Sequence, residues 1–210
     1  MPEDYARAAM PDSPFVRPRD AASLVVLRRK GRQLSMLMGM RGAKHRFMPN
    51  RLVFPGGAVD EADLGAEAAA PLPPHTARLL AKAAKGPMVH GLAIAAAREL
   101  EEETGLSLGS PPRLDALEYL CRAITPAGSP IRYNARFLLV PEAAVSGTLG
   151  GDGELENLRF YDMHEALALE LALPTRCVLE RVRVWLAMSE AERREVGMVP
   201  VLRNRDWEME

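Results

Sequence analysis

Cysteine, long apolar runs and an excess of charge of either sign are all missing from this chain of 210 residues. The two cysteines, Cys121 and Cys177, form neither a CxxC pair nor a zinc-ligand cluster, so neither a disulfide scaffold nor structural zinc is expected and a reducing cytoplasm is the plain reading. No stretch of about 18 apolar residues is present to span a bilayer. The start, MPEDYARAAMPDSPF, is acidic and bears prolines where an export signal needs a basic segment and then an apolar one. Lysine plus arginine number 27 and aspartate plus glutamate 28, for a formal net charge of −1. That balance argues against a nucleic-acid coat and a polybasic membrane binder. A Walker loop, GxGxxG, HExxH and GxSxG are also absent. His45, His75, His90 and His164 have no ligand spacing.

What the chain does have is an ordinary globular balance, 48% hydrophobic and 26% charged residues, enough for one core. Residues 1–19 hold four prolines and read as an extended arm, 20–190 as a single domain, and 191–210 as a C-terminal tail. Two apolar runs around Lys30-Gly31 suit a hairpin, and a short run at Leu52-Val53-Phe54 ends at Pro55-Gly56-Gly57. Alanine and proline crowd residues 61–90 around a short helical stretch at 75–84, which reads as a surface insertion. Residues 91–104, GLAIAAARELEEET, are rich in helix formers and stop at Gly105, a good residue to end a helix. Strands are expected in LDALEYLCRAITP, IRYNARFLLV and LRFYD, and helices near 163–171 and 175–188. The interleaving predicts an α/β (α+β) sandwich with a mixed central sheet.

On the helix 91–104, Glu99, Glu102 and Glu103 fall at i, i+3 and i+4 and so share one face. Packed carboxylates repel, and a hard divalent cation among them removes the repulsion; a solvated acidic face is the alternative. Arg98, four residues before Glu102, is placed to pair with it. From Ala21 to Val59 there is no acidic residue, while Arg28, Arg29, Lys30, Arg32, Arg41, Lys44, Arg46 and Arg51 are all cationic. Arginine forks onto phosphate oxygens. Arg41 and Arg46, near the glycine loop, are therefore read as phosphate contacts, and the group at the turn as solubilising. Arg132 and Arg136 lie on one face of their strand, facing either substrate or solvent. The acidic loop with Asp152, Glu154 and Glu156 offers one more carboxylate, Glu154 preferred.

The stretch Arg98-Glu99-Leu100-Glu101-Glu102-Glu103-Thr104-Gly105-Leu106 matches the REUxEExGU half of the Nudix box, and Phe54-Pro55-Gly56-Gly57 resembles the glycine loop that precedes it. The chain thus resembles the Nudix hydrolases over roughly residues 20–185. It departs from the family pattern G-x5-E-x7-RE in two places. Asp63 stands where the pattern has glutamate, and the arginine expected at 71 comes at 98, 27 residues later. An insertion of that size is similar to the coenzyme-A-directed branch that includes the peroxisomal Nudix type 19 enzymes. The motif LLTxR(S/A)xxxRxxxGxxxFPGG of that branch aligns from Leu37 through Arg41, Gly42, Arg46 and Asn50 to Phe54, keeping both arginines and FPGG but with Gly39, Gly42 and Asn50 as departures.

The resemblance implies a Nudix α/β/α sandwich that cleaves the diphosphate of a nucleoside diphosphate joined to another group. Coenzyme A or an acyl derivative leads, followed by NADH, ADP-ribose and nucleotide sugars. It implies Mg²⁺ or Mn²⁺ held by Glu99, Glu102, Glu103, the Gly57 carbonyl and Glu154. Catalysis would rest on Glu103, Glu102 and Arg98, and substrate contact on Arg41, Arg46, Gly56, Gly57 and Arg132. The partner is then a small nucleotide diphosphate, with neither nucleic acid nor membrane, and a homodimer stays open. The rivals are a Nudix-fold module that binds nucleotide without cleaving it, and a metal-free interaction protein that docks through the insertion.

Overall fold

The computed structural model describes residues 16–31, 33–42, 50–151 and 153–210. Its main sheet is mixed, in the order β11 (Asp206–Met209), β10 (Pro200–Arg203), β6 (Glu118–Ile124), β7 (Tyr133–Pro141), β1 (Arg19–Lys30), β2 (Gln33–Arg41), β3 (Leu52–Val53), with β4 (Gly56–Ala58) added to β1 and β9 (Leu155–Asp162) to β2. The hairpin forms as expected from β1 (Arg19–Lys30) and β2 (Gln33–Arg41), turning through Gly31 at φ 59°. β1 runs parallel to β7 (Tyr133–Pro141), which pairs antiparallel with β6 (Glu118–Ile124). β3 (Leu52–Val53) pairs with β2 and β4 (Gly56–Ala58) with β1; β9 (Leu155–Asp162) lies along β2.

Both faces of this sheet are covered, which is why its central strands read as unbroken apolar runs and not as alternation. Leu24, Val26, Leu37, Leu138 and Val140 pack on one side against Leu92, Ala96 and Leu100 of helix α2 (Met88–Thr104). Val25, Met36, Met38 and Leu139 pack on the other against Val178, Leu179, Val182 and Trp185 of α4 (Leu173–Ala187). A short helix, α3 (Met163–Ala168), follows β9, capped by the Asp162 carboxylate on the His164 amide. The structure is the mixed α/β sandwich expected from the sequence, with helices on both faces of a mixed sheet. Among the described residues no helix is long and apolar enough to cross a membrane.

Three boundaries differ from the sequence expectations. α2 begins at Met88, three residues early, because Pro87 fits the position just ahead of a first turn. Helix α1 (Pro74–Leu80) ends before 84, and the Ala83 carbonyl accepts from the Arg136 guanidinium. Residues 191–210, set apart in the sequence as a tail, belong to the sandwich. α5 (Glu190–Glu195) leads into β10 (Pro200–Arg203), parallel to β6, and β11 (Asp206–Met209) folds back on β10. The Glu210 carboxylate ties this edge down through Arg122 (2.6 Å) and Arg203 (3.1 Å).

Candidate functional site

The site begins where β4 meets α2. Gly56, at φ 153°, lies so close to Ala22 and Ser23 of β1 that any Cβ there would overlap them. A Cβ on Gly57 would overlap the Glu99 carboxylate. The two glycines thus let the loop backbone lie directly against the acidic face of α2. The Gly56 amide donates to Glu103 Oε2 at 2.8 Å, a bond made across the buried junction of strand and helix.

Arg98 organises the outer part of this face. Its Nε and Nη2 donate to the two oxygens of Asp63, both at 3.1 Å, and Nη2 also reaches the Ala58 carbonyl. Nη1 donates to Glu99 Oε1 at 2.8 Å and to Glu102 Oε2 at 3.0 Å. The Asp63 hydrogen bonds, more than any other contact, hold the Arg98 proton more firmly than usual. Asp63 is itself buried, in a 3₁₀ turn (Glu61–Leu64), and accepts from the Asp60 amide at 2.8 Å. The residue that the sequence left without a role is therefore the anchor of the arginine. The spacing six residues after Gly57 was the signal for it, and a buried, forked carboxylate–guanidinium pair is its physical content.

Glu103 is the buried member of the set. Burial pushes its carboxyl up to about 8, against the opposing pull of the Gly56 amide and Arg41, and the charges of Glu99 and Glu154 raise it further. Burial also raises Glu99, with the Arg98 hydrogen bond working in the opposite direction. Arg41 Nη2 stands 3.7 Å from Glu103 Oε1, and Arg41 Nε is buried without a hydrogen-bond partner among the described residues. Two carboxyls held above their ordinary range, beside a half-exposed Glu102, form an all-oxygen donor set short of positive charge. That set suits a hard divalent cation. Among the described residues no three such side chains already converge as a cage; Arg98 Nη1 sits between Glu99 and Glu102 instead.

The NUDIX domain family matches residues 89–182, the span that opens on α2. The chain's fold is that of solved NUDIX proteins. A NUDIX hydrolase from Alicyclobacillus acidocaldarius is 24% identical with TM-score 0.61, covering 79% of this chain and 90% of its own. The NUDIX domain of Shewanella oneidensis NrtR, solved with ADP-ribose, is 16% identical with TM-score 0.54, covering 82% and 91%. A MutT NUDIX hydrolase from Burkholderia pseudomallei is 22% identical with TM-score 0.52, covering 80% and 99%. No curated protein matches. These comparisons show the fold and a NUDIX-domain likeness over residues 89–182, and do not separate one branch from another.

Within the matched span and the residues that pack on it, the structure brings Gly56, Gly57, Arg98, Glu99, Glu102, Glu103 and Arg41 together. Glu154, just ahead of β9, is close enough for its charge to act on Glu99 and Glu103. Arg46 and Asp152 lie outside the described residues. Arg132, read as a substrate contact, is a correction: it is buried and donates to the backbone carbonyls of Thr125 (3.1 Å) and Val16 (2.7 Å). Arg136 is buried as well, paired with Asp20 and bonded to the Asn134 and Ala83 carbonyls. Both guanidiniums are thus buried and spent on backbone carbonyls. Gly39, the departure from threonine in the coenzyme A motif, also has a structural reason. A Cβ there would come within 2.7 Å of Leu155 Cβ, where β2 and β9 slip register.

Proposed function

We propose that the chain is a metal-dependent pyrophosphohydrolase that cleaves the diphosphate of a nucleoside diphosphate linked to a second group, with coenzyme A or an acyl derivative as leading substrate. The observation that carries the reading is the buried, charge-poor Glu103, facing the Gly56 amide beside Glu99 and Glu102 on the NUDIX helix. Mg²⁺ or Mn²⁺ would be held by Glu99, Glu102 and Glu103, with the Gly57 carbonyl and Glu154. When bound, such a cation offsets phosphate charge and makes a bound water acidic enough to be deprotonated.

The protein groups divide the remaining work. Asp63 fixes Arg98, and Arg98 fixes the directions of Glu99 and Glu102, so the donors are set before substrate arrives. Glu103 and Glu154 are the two carboxylates positioned to take a proton from the attacking water. Arg41, 3.7 Å from Glu103 and at the edge of the acidic face, would meet a phosphate oxygen through its guanidinium. Support for coenzyme A comes from Arg41, Arg46 and the Phe54–Gly57 loop, the parts of the motif that this sequence retains. ADP-ribose is the second reading, favoured by the NrtR NUDIX domain that shares the fold and was solved with that ligand. Two free, buried cysteines fit a reducing compartment such as the cytoplasm.

The test is chromatographic product analysis with Mn²⁺ or Mg²⁺ against coenzyme A, acetyl-coenzyme A, NADH, ADP-ribose and a nucleotide sugar, with Glu103→Gln in parallel. Metal-dependent release of 3′-phosphoadenosine monophosphate, lost in the variant, is the expected result. Cleavage of another substrate keeps the chemistry and discards the coenzyme A reading. Silence across the panel favours a nucleotide-binding module.

A further inference from the structure

The end of β2 that carries Arg41 is flanked by a bulge on each side. Toward β3, the Arg41 amide donates to the Arg51 carbonyl at 2.9 Å while the Arg41 carbonyl accepts from the Asn50 amide, also at 2.9 Å. Two residues, Asn50 and Arg51, therefore oppose one, which is the pattern of a β-bulge whose first residue is left-handed. Asn50 fits that role at φ 53°. Toward β9 the register shifts. Met38 faces Arg159 and Met40 faces Glu156, so Gly39 alone stands opposite Asn157 and Leu158. Asn157 is left-handed too, at φ 51°, and its carbonyl accepts from the Tyr161 hydroxyl at 3.0 Å.

A bulge sharpens the local twist of a strand and re-aims the side chains beside it. Leu37 points to the α2 side of the sheet, and alternation carries Gly39 and Arg41 to the same side. There Arg41 Nη2 stands 3.7 Å from Glu103 Oε1. Glycine and asparagine enter the left-handed region at little cost, and a β-branched residue does not. Asn50, a departure from glycine in the coenzyme A motif, thus keeps a backbone that glycine would supply. Other irregularities lack this coupling. The shift between Tyr119 and Cys121 in β6 contains no left-handed residue, and the small second sheet, β5 (Leu106–Ser107) with β8 (Ser146–Gly147), stays in register. Asn204, at φ 49°, lies in the turn between β10 and β11, at the opposite edge of the main sheet.

We propose that Asn50 is a positioning residue for Arg41: its left-handed bulge, matched by that of Asn157 across the strand, aims the Arg41 guanidinium over the acidic face of α2 to meet substrate phosphate. The role belongs to the backbone conformation and not to the amide side chain, so glycine should replace asparagine and valine should not.

This inference rests on the pyrophosphohydrolase reading, and its test compares wild type, Asn50→Val, Asn50→Gly, Arg41→Ala and the Arg41→Ala/Asn50→Val double variant in kcat and KM for whichever substrate is cleaved. Asn50→Val is expected to raise KM on the order of tenfold, the size of one lost charge-assisted hydrogen bond, with kcat little changed. Asn50→Gly should keep the wild-type KM, and the double variant should exceed Arg41→Ala by no more than about twofold. Asn204→Val strains a left-handed turn in the same way, so it should lower the unfolding midpoint and leave KM alone. If Asn50→Val does not fold, Asn50→Ala replaces it, with a smaller rise in KM.

A wild-type KM in Asn50→Val, a loss in kcat alone, an Asn50→Gly protein as impaired as Asn50→Val, losses that multiply in the double variant, or an equal rise in KM in Asn204→Val each overturn the proposal. A wild type silent toward all substrates ends the hydrolase reading alone. The positional claim is then decided by calorimetric affinity for ADP with Mg²⁺. Binding weakened in Asn50→Val and restored in Asn50→Gly upholds it, and equal affinities or a wild type that binds no ADP overturn it.

Discussion

Arg136 and Glu103 are both buried ionisable side chains, and they are buried in opposite ways. The Arg136 guanidinium is closed in by the Asp20 carboxylate and by two backbone carbonyls, Asn134 at 2.8 Å and Ala83 at 2.7 Å. Among the described residues Glu103 has one amide donor at 2.8 Å, and its nearest cation is Arg41 at 3.7 Å. Taking a charge out of water is costly unless partners replace the water. Where most of the replacement is made within the chain, as at Arg136, whose Nε alone lacks a hydrogen-bond partner among the described residues, the group is a clasp. It joins β1, β7 and the segment after α1. Where compensation is left short, as at Glu103, the group is ready for a ligand that brings positive charge.

The comparison breaks if the clasp can be removed cheaply. Arg136→Ala leaves Asp20 with the Asn134 amide alone and the Ala83 carbonyl without its donor, and is expected to cost about 3–5 kcal/mol in denaturant unfolding. A cost below about 1 kcal/mol would mean that the pair contributes little and that burial alone does not mark a clasp. Glu103→Gln should do the reverse. Turnover is expected to fall on the order of 10³-fold, as when a proton-transfer or charge-holding carboxylate is lost, while the fold stays intact. Its stability carries a second signature. The folded protein, without metal, keeps a proton on Glu103 up to about pH 8, whereas the unfolded chain loses it near the ordinary value of 4.5. The folded state then binds more protons across that interval, so the stability of the metal-free protein declines as pH rises through it. Glu103→Gln should flatten this decline, and a saturating divalent cation should reduce it. Unfolding midpoints measured at a series of pH values, with and without chelator, decide the point.

These two residues also show how far the sequence could be read. Glu99, Glu102 and Glu103 were legible because helical spacing places carboxylates on one face whatever else the chain does, and the helix itself rests on strong local preferences. The layered fold was legible for the same reason, since apolar runs of the right length report burial on both faces. The fate of Arg132 and Arg136 was not. Alternation through IRYNARFLLV puts them on one face, and only the packing of the segment after α1 and of the residues just before β1 buries them. The strands after α5 were missed because four residues, Pro200–Arg203, carry too short a pattern to separate a strand from a tail. Asp63 was legible in position and not in role, because a 27-residue change in spacing hides that its turn folds back onto Arg98.

Asp63 gives the next smaller effect. It acts on the carboxylates only through Arg98, so Asp63→Asn should leave the donors in place and loosen their aim. Supporting partners of this kind cost about 10–100-fold when removed. The loss should appear in kcat and metal affinity together, and a second substitution, Arg98→Lys, should add little to it. A double variant far worse than either single would show that the two residues act separately.

The smallest effect sharpens the comparison from outside the core. Arg28 and Glu142 form a well-made pair, with two hydrogen bonds at 2.8 and 2.6 Å, and the Arg28 guanidinium lies 3.4 Å from the Phe160 ring centre. The hydrogen bond from Arg28 holds the Glu142 carboxyl below its usual range. A lowered carboxyl contributes stability above its unfolded value of 4.5, and that contribution is lost as pH falls through the folded value. Yet both side chains are partly exposed, at 27% and 39%, so solvent screens the attraction. Glu142→Gln is therefore expected to cost less than about 1 kcal/mol at neutral pH, with the difference from wild type closing in acid. Arg28 would keep its place on Phe160. If the cost instead approached that of Arg136→Ala, geometry rather than burial would be what makes an ion pair count in this protein, and the contrast between Arg136 and Glu103 would have to be rebuilt on hydrogen-bond number alone.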